Sequence, residues 1–373
     1  MLSNLRVALI HEHLAQDGGA ERVLLELSKM FPAAPIYTLV YNRQRANPAW
    51  RDRNIRPSFL QRLPGGVRYY QWYLNWMPTA VERYDLAGYD LVLSSASSFA
   101  KGVITEPKTL HVCYLHSPTR YLWNDTHRYV NELRYPGFLR SLIPFSLTRI
   151  RMWDRLAADR VDQFIANSKE VQRRITKYYQ RSSTVIYPPV DVGRFTPAAH
   201  TGNYYLTGGR LVPYKRFDLT IRAFNRLGIP LKIFGAGPAE ADLRAIAKPN
   251  IEFVGRIGDE AMNELYRHCL AFLNPQEEDF GITVIEAMAA GRPVIAYAAG
   301  GALETVVPGK TGVLFEDQEW EALADTVIRF KPEQFSASTI RDWAMTFGPE
   351  RFHKQLGDYL ELAWKNHQTR LHS

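Results

Sequence analysis

Glu278 and Glu286 stand with seven residues between them in the string Glu277-Glu278-Asp279-Phe280-Gly281-Ile282-Thr283-Val284-Ile285-Glu286-Ala287-Met288-Ala289-Ala290-Gly291. The apolar run Leu270 to Leu273 before it predicts a buried strand. Thr283 to Ala290 predicts a short helix, closed by Gly291 and stopped by Pro293. One carboxylate then falls on the loop after a strand, and the other in the first turn of the following helix. Ligands of parallel α/β sheets bind at that carboxyl end of the strands. Carboxylates there suit hydroxyl-rich ligands, because each oxygen accepts a hydrogen bond from a sugar or ribose O–H. The same residues read in a second way. Thr283-x-x-Glu286 has the spacing of a capping box, in which Glu286 serves only the helix start, and Glu278 is then a solvated loop acid.

A second chemical signal is Gly208-Gly209-Arg210-Leu211-Val212-Pro213-Tyr214-Lys215-Arg216, between a predicted strand and a predicted helix. Glycines allow close backbone approach. Arg210 offers a planar fork and Lys215 a point charge, both suited to a diphosphate, and a helix N-terminus adds partial positive charge. The alternative is a basic surface loop with ordinary turn glycines. Gly18-Gly19-Ala20-Glu21-Arg22 is the matching loop near the N-terminus, and Gly235-Ala236-Gly237-Pro238 a third glycine turn. None completes G-x-G-x-x-G or the P-loop ending, which disfavours nicotinamide, flavin and P-loop chemistry. No Asp-x-Asp triplet occurs and the His and Cys residues lack ligand spacing, so no catalytic metal is expected. His116, in Tyr114-Leu115-His116-Ser117-Pro118, follows a strand and is placed to face a cleft between domains; the alternative is a structural histidine.

The elements that must position these groups alternate between strand and helix. Strands are predicted at Leu5–Ile10, Ile36–Val40, Leu91–Ser94, Thr109–Tyr114, Gln163–Ala166 and Thr184–Ile186. After a Pro- and Gly-rich linker from Tyr187 to Asn203 come Tyr204–Thr207, Leu231–Phe234, Ile251–Val254, Leu270–Leu273, Val294–Tyr297 and Gly312–Phe315. This order predicts an α/β chain of two doubly wound domains with mostly parallel sheets. The expected bounds are 1–190 for the first domain, joined by a C-terminal helix at about 350–373, and 203–349 for the second. A chain of 373 residues is too long for one ordinary core. The net charge of +8 favours anionic partners such as phosphates, acidic lipid or nucleic acid. Two cysteines, Cys113 and Cys269, fit a reduced cytoplasmic chain. No apolar run is long enough to span a membrane and no signal-peptide core is expected, while binding at a membrane surface stays open.

Taken together, these motifs resemble the retaining glycosyltransferases of family four, group 1. The carriers are the Glu278–Glu286 element with its trailing Ala287-Met288-Ala289-Ala290-Gly291-Arg292-Pro293-Val294-Ile295, Gly18-Gly19-Ala20-Glu21-Arg22, Ala166-Asn167-Ser168, Gly209-Arg210-Leu211 with Lys215, Val254-Gly255 and His116. The resemblance implies a GT-B fold, two Rossmann-like domains facing a cleft, with the last helix crossing back to the first domain. It implies that Arg210 and Lys215 hold the donor diphosphate, Glu278 orients donor sugar hydroxyls, and Glu286 binds the ribose. Gly281, Ile282 and Thr283 would approach sugar and phosphates, Arg256 and Ile257 would lie near the base, and Gly18 and Gly19 near the phosphate or acceptor. His116 matches the family's cleft histidine. Arg6-Val7-Ala8-Leu9-Ile10-His11-Glu12, Gly102-Val103-Ile104 and Cys113-Tyr114-Leu115-His116-Ser117-Pro118-Thr119-Arg120-Tyr121-Leu122-Trp123 are similar to bacterial polysaccharide and O-antigen mannosyltransferases. That similarity implies GDP-mannose as donor, an α linkage and a polyprenyl-diphosphate-linked saccharide or other glycan acceptor in surface polysaccharide biosynthesis.

The mechanism implied by the family is same-face transfer, in which the departing phosphate takes the acceptor proton and no metal or other cofactor is required. A UDP-sugar donor (glucose, galactose or N-acetylglucosamine), a GT-B epimerase or phosphorylase, and a non-catalytic nucleotide-sugar binder remain as alternatives. No recognition motif supports a nucleic-acid partner. Arg149, Arg151, Arg155 and Arg160, then Arg173, Arg174, Lys177 and Arg181, and upstream Arg68 with Tyr69, Tyr70, Trp72, Tyr73 and Trp76, mix basic and aromatic residues. That mixture fits either peripheral binding to anionic lipid or core aromatics beneath a solvated basic face.

Overall fold

The computed structural model of the chain describes residues 2–124, 126 and 137–372. It forms two compact units, Met1–Tyr187 with Phe352–Ser373, and Pro188–Arg351. Among the described residues the first unit holds seven parallel strands: β1 (Val7–His11), β2 (Ile36–Thr38), β3 (Ile55–Pro57), β4 (Leu91–Ala96), β5 (Leu110–Leu115), β6 (Gln163–Ala166) and β7 (Ser183–Val185). Their order is β3-β2-β1-β4-β5-β6-β7. The sheet is covered on both faces, so alternate residues enter different cores. Ala8, Ile10, Val92 and Cys113 pack on one side. Val7, Leu9, Leu91, Leu93, Val112 and Tyr114 pack on the other, against Phe352, Leu356, Leu360 and Trp364 of the helix Pro349–Leu371. That helix sets its apolar stripe on the first unit, as the expected crossing-back helix does.

The second unit holds β8 (Tyr205–Gly208), β9 (Leu231–Phe234), β10 (Ile251–Gly255), β11 (Phe272–Asn274), β12 (Val294–Tyr297) and β13 (Gly312–Phe315), again all parallel, in the order β10-β9-β8-β11-β12-β13. Both sheets therefore reverse strand order beside their first strand, between β1 and β4 and between β8 and β11. The crevice at the carboxyl ends of such a reversal is where open α/β sheets bind ligands. The stretch expected as a linker belongs largely to the second unit: Val190 N–H donates to Phe347 O at 3.0 Å, and Val192 and Phe195 are buried.

Two local expectations change. Strand β3 was not foreseen, because it is short, half-exposed and ends in Pro57; as an edge strand it tolerates the missing N–H. The helix after Phe280 runs Ile282–Ala289, one residue early. Gly281 precedes it at φ +89°, a left-handed conformation that favours glycine. Thr283 is thus inside the helix, no capping box forms, and Glu286 lies in the second turn instead of the first. Cys113 and Cys269 are free and buried, with burial pushing both thiols up to about 12, which leaves them unreactive.

Candidate functional site

In the second unit the loops after β8 and β11 meet at the strand-order reversal. Lys215 Nζ lies 3.0 Å from Glu278 Oε1, and both side chains keep some solvent exposure. Gln276, buried after β11, donates its Nε2–H to the same oxygen at 3.2 Å. Arg210 is exposed on the same loop as Lys215. The glycines are there because backbones touch. A Cβ on Gly235 would stand 1.8 Å from Gly209 O, and one on Gly237 would stand 2.1 Å from Leu211 O. Leu211 N–H donates to Ala236 O at 3.1 Å, locking the first glycine loop against the third.

Gly300 and Gly301, after β12, hold the Glu278 loop from the other side. Gly301 N–H donates to Glu278 O at 2.8 Å. A Cβ on Gly300 (φ +55°) would lie 2.3 Å from that same oxygen. Sequence reasoning missed this support, although a Gly-Gly pair separated by two residues from a predicted strand was a readable signal.

Glu286 is buried. Tyr266 OH donates to its Oε2 at 3.2 Å, and Arg194 Nη2 lies 3.4 Å from Oε1 while Arg194 Nη1 reaches Asp259 at 2.7 Å. Ile282 and Thr283 are partly exposed in the first turn of the helix that carries Glu286. Arg256 is exposed and Ile257 half-buried between β10 and the helix Asp259–His268.

The first unit places its polar groups at its own reversal. His11 ends β1 and is in register with Ser95 of β4. Ser95 Oγ lies 3.2 Å from His11 Nδ1 and 2.8 Å from His116 Nε2. His11 Nε2 lies 3.9 Å from Glu21 Oε1, and Gln16 donates to that oxygen at 3.4 Å. Glu21 belongs to the helix Gly19–Met30, whose preceding residue is Gly18; a Cβ on Gly18 would come within 2.9 Å of Glu21 Oε2. Burial, with His11 nearby, holds the His116 imidazole down at about 3, against a smaller opposing pull from Glu21. It is therefore neutral across the physiological range. For Glu21, burial acts to raise the pKa, but its bond to His11 and the charges of His11 and His13 outweigh this and leave it lowered. Of these partners, Ser95 was not singled out from the sequence, and Glu21 and His11 appeared only inside motifs.

The loop that follows His116 is pinned by Asp154. Its carboxylate accepts from Lys101 Nζ at 2.5 Å, Thr119 Oγ1 at 2.9 Å, Trp123 Nε1 at 2.8 Å and Tyr179 OH at 2.8 Å. Lys101 and Asp154 are both buried. Glu12, also buried, accepts four backbone N–H bonds from Ser97, Ser98, Phe99 and Ala100, which fixes the loop after β4.

Many of the basic residues are paired within the first unit. Arg151 donates to Leu122 O, Arg155 pairs with Asp159, Arg160 with Glu82, Arg173 and Arg174 with Glu170, and Arg181 donates to Ala158 O. Tyr179 is core, and Tyr70, Tyr73 and Tyr178 pack against it. What stays on the surface is Tyr69, Trp72 and Trp76 beside Phe145, Arg149, Met152 and Leu156. An Asn75–Ser146 hydrogen bond of 3.4 Å joins the two segments. Among the described residues no helix is long and apolar enough to cross a membrane, and no group of three or more His, Cys, Asp or Glu could hold a metal ion.

Known proteins resemble this chain in sequence family and in fold. The profile of glycosyltransferase family 4 matches residues 17–194, and that of glycosyl transferases group 1 matches residues 194–342. The alpha-1,3/1,6-mannosyltransferase ALG2 of Dictyostelium discoideum is 26% identical over 62% of this chain and 64% of its own length. A GDP-mannose-dependent phosphatidylinositol monomannoside mannosyltransferase of Corynebacterium glutamicum is 31% identical over 45% of this chain and 52% of its own. The chain thus spans less than two thirds of the length of these curated relatives. Among solved structures, HepE of Anabaena, determined with UDP-glucose, superposes with a TM-score of 0.69 at 20% identity, over 95% of this chain and 99% of that one. Sucrose-phosphate synthase of Thermosynechococcus elongatus gives 0.70 at 16% identity, over 96% and 100%. The solved structures share the fold, the two profiles between them span residues 17–342, and the chain belongs to glycosyltransferase family 4, with the GT-B fold.

Proposed function

We propose that the protein is a retaining hexosyltransferase that moves a sugar from a nucleoside diphosphate to a hydroxyl of a glycan or lipid-linked acceptor. The observation that carries this reading is the pairing of Lys215 with Glu278 across the reversal between β8 and β11, with Arg210 exposed on the same loop. A diphosphate needs cationic donors, and a sugar needs a carboxylate to accept its hydroxyls. Arg210 and Lys215 take the diphosphate and stabilise the charge that grows on it as the glycosidic bond breaks, which lowers the barrier because that charge is larger in the transition state than in the bound donor. Glu278 orients the sugar. Backbone groups of Gly281, Ile282 and Thr283 approach sugar and phosphates, Arg256 and Ile257 flank the base, and Gly18 and Gly19 face phosphate or acceptor. Glu286 takes the ribose through its carboxylate, beside the contacts it makes with Tyr266 and Arg194. His116 contributes a neutral imidazole. The leaving phosphate accepts the acceptor's proton, and the reaction runs without added metal.

Two donor readings have specific support. The HepE structures hold UDP and UDP-glucose, which favours a uridine diphosphate hexose. The Corynebacterium relative is GDP-mannose-dependent, which favours GDP-mannose. Calorimetry with GDP-mannose, UDP-glucose, UDP-galactose and UDP-N-acetylglucosamine, in EDTA, separates them; binding of none of the four would remove the donor site. The acceptor is proposed to be met at an anionic membrane, where Trp72, Trp76 and Phe145 enter the headgroup region beside Arg68 and Arg149. Flotation with phosphatidylglycerol vesicles should exceed that with neutral vesicles and fall in Trp72→Ser/Phe145→Ser; equal flotation removes the membrane from the proposal.

A further inference from the structure

Ser95 carries one hydroxyl proton and lies between two imidazoles, so it can donate to only one of them. Which one follows from the far end of the chain. Glu21 is a carboxylate with no proton to give, held by Gln16 and facing His11 Nε2. A nitrogen lone pair turned toward that carboxylate is repelled, so His11 Nε2 bears the proton. In the neutral form of His11 the lone pair is then on Nδ1, where it accepts the Ser95 O–H at 3.2 Å. The Ser95 oxygen, having donated, accepts from His116 Nε2–H at 2.8 Å. The lone pair of His116 is thereby left on Nδ1, which makes no hydrogen bond among the described residues. Register fixes the sequence of contacts: His11 is paired with Ser95 across β1 and β4, and His116 N–H donates to Ala96 O at 2.8 Å.

We infer that Glu21 and His11 are positioning residues that act through Ser95 to hold His116 with its proton on Nε2, so that Nδ1 accepts a hydrogen bond from a hydroxyl of the sugar substrate. The last step rests on the proposed role of His116 in transfer; the tautomer does not. The experiment uses the full chain with ring-15N histidine, reading which His116 nitrogen carries the proton from long-range 1H–15N correlations, with the signals assigned by their loss in His116→Gln. The wild type should show Nε2–H and an unprotonated Nδ1. In Glu21→Gln the charge that sets the direction is gone, and in Ser95→Ala the link is cut; both should populate the opposite tautomer while the thermal melt shows a folded chain. An Nδ1–H tautomer in the wild type, or an unchanged tautomer in both folded variants, overturns the inference.

A wrong tautomer at a catalytic histidine costs up to about 10⁴-fold in turnover. Glu21→Gln should therefore lose between about tenfold and about 10⁴-fold in kcat with the donor KM held. A changed tautomer with wild-type kcat makes the relay structural only, and overturns the positioning role. If the wild-type chain transfers no sugar at all, the proposed function fails, and the nitrogen spectrum still decides the relay.

Discussion

Replacing Lys215 with alanine separates a charge that works on the ligand from one that holds the fold. Lys215 Nζ and Glu278 Oε1 are 3.0 Å apart. At an effective dielectric of about 20 the pair attracts by about 5–6 kcal/mol, most of it offset by desolvation. An exposed pair nets about 0–1 kcal/mol and a broken buried pair costs about 3–5. This one is partly exposed, and Gln276 still donates to Glu278 after the lysine is gone, so the loss should be about 1–2 kcal/mol. For a unit the size of Pro188–Arg351 that is a fall in Tm of about 2–8 °C. The expected loss in rate is far larger, about 3–4 kcal/mol or roughly a thousandfold, because in the proposed role the ammonium faces charge that develops only as the sugar leaves. Acceptor-dependent nucleotide release, assayed well below the variant's Tm, measures the rate, and scanning calorimetry measures the fold. A folded Lys215→Ala within tenfold of wild-type turnover refutes the diphosphate role. So does a rate loss that only tracks the unfolded fraction.

Other consequences follow from buried groups. His111 is fully buried, with burial lowering its pKa to about 3, whereas the unfolded chain takes the proton near 6.5. The unfolded state therefore binds the extra proton between those values, and stability present above pH 6.5 is lost as pH falls: about 2 kcal/mol at pH 5, a difference that His111→Gln should abolish in denaturant titrations. Asp154→Asn strands the Lys101 charge and should cost about 3–5 kcal/mol, while Lys101→Met/Asp154→Leu should recover part of it; a single variant as stable as wild type would refute the buried pair. Gly300→Ala must place a side chain at φ +55° against Glu278 O, so donor affinity measured by calorimetry should fall about tenfold or more as the Glu278 loop shifts, at about 1–2 kcal/mol of strain; unchanged affinity would free Glu278 from that support.

Much of the fold was legible because its signals are local. Gln163–Ala166, Leu231–Phe234, Val294–Tyr297 and Gly312–Phe315 are buried parallel strands written as short apolar runs, and their predicted limits match the observed ones. The edge strand Ile55–Pro57 has no such run to read. The helix starts at Ile282, one residue before the predicted Thr283, and the deciding fact is the positive φ of Gly281, a backbone property that composition leaves open. The arginines of the first unit were ambiguous for a different reason. Whether Arg160 is a solvated charge or the partner of Glu82 depends on a residue 78 positions away.

The same non-locality explains why the candidate sites were visible as residues and not as arrangements. Lys215 and Glu278 could each be named for their chemistry, yet their meeting at 3.0 Å depends on β8 lying beside β11, a neighbour relation that skips β9 and β10. His11, Ser95 and His116 come together because β1 lies beside β4 and β4 beside β5, with β2 and β3 turned away. Both constellations stand where strand order reverses, and for one physical reason. There the connections leave in opposite directions, so the strand ends are left uncovered and polar side chains can face a ligand in place of packing against a helix. Residue type thus selects what could do chemistry, and sheet order selects which of those residues can do it together. A Ser95 in an unremarkable strand becomes informative only once β1 and β5 are known to be its neighbours.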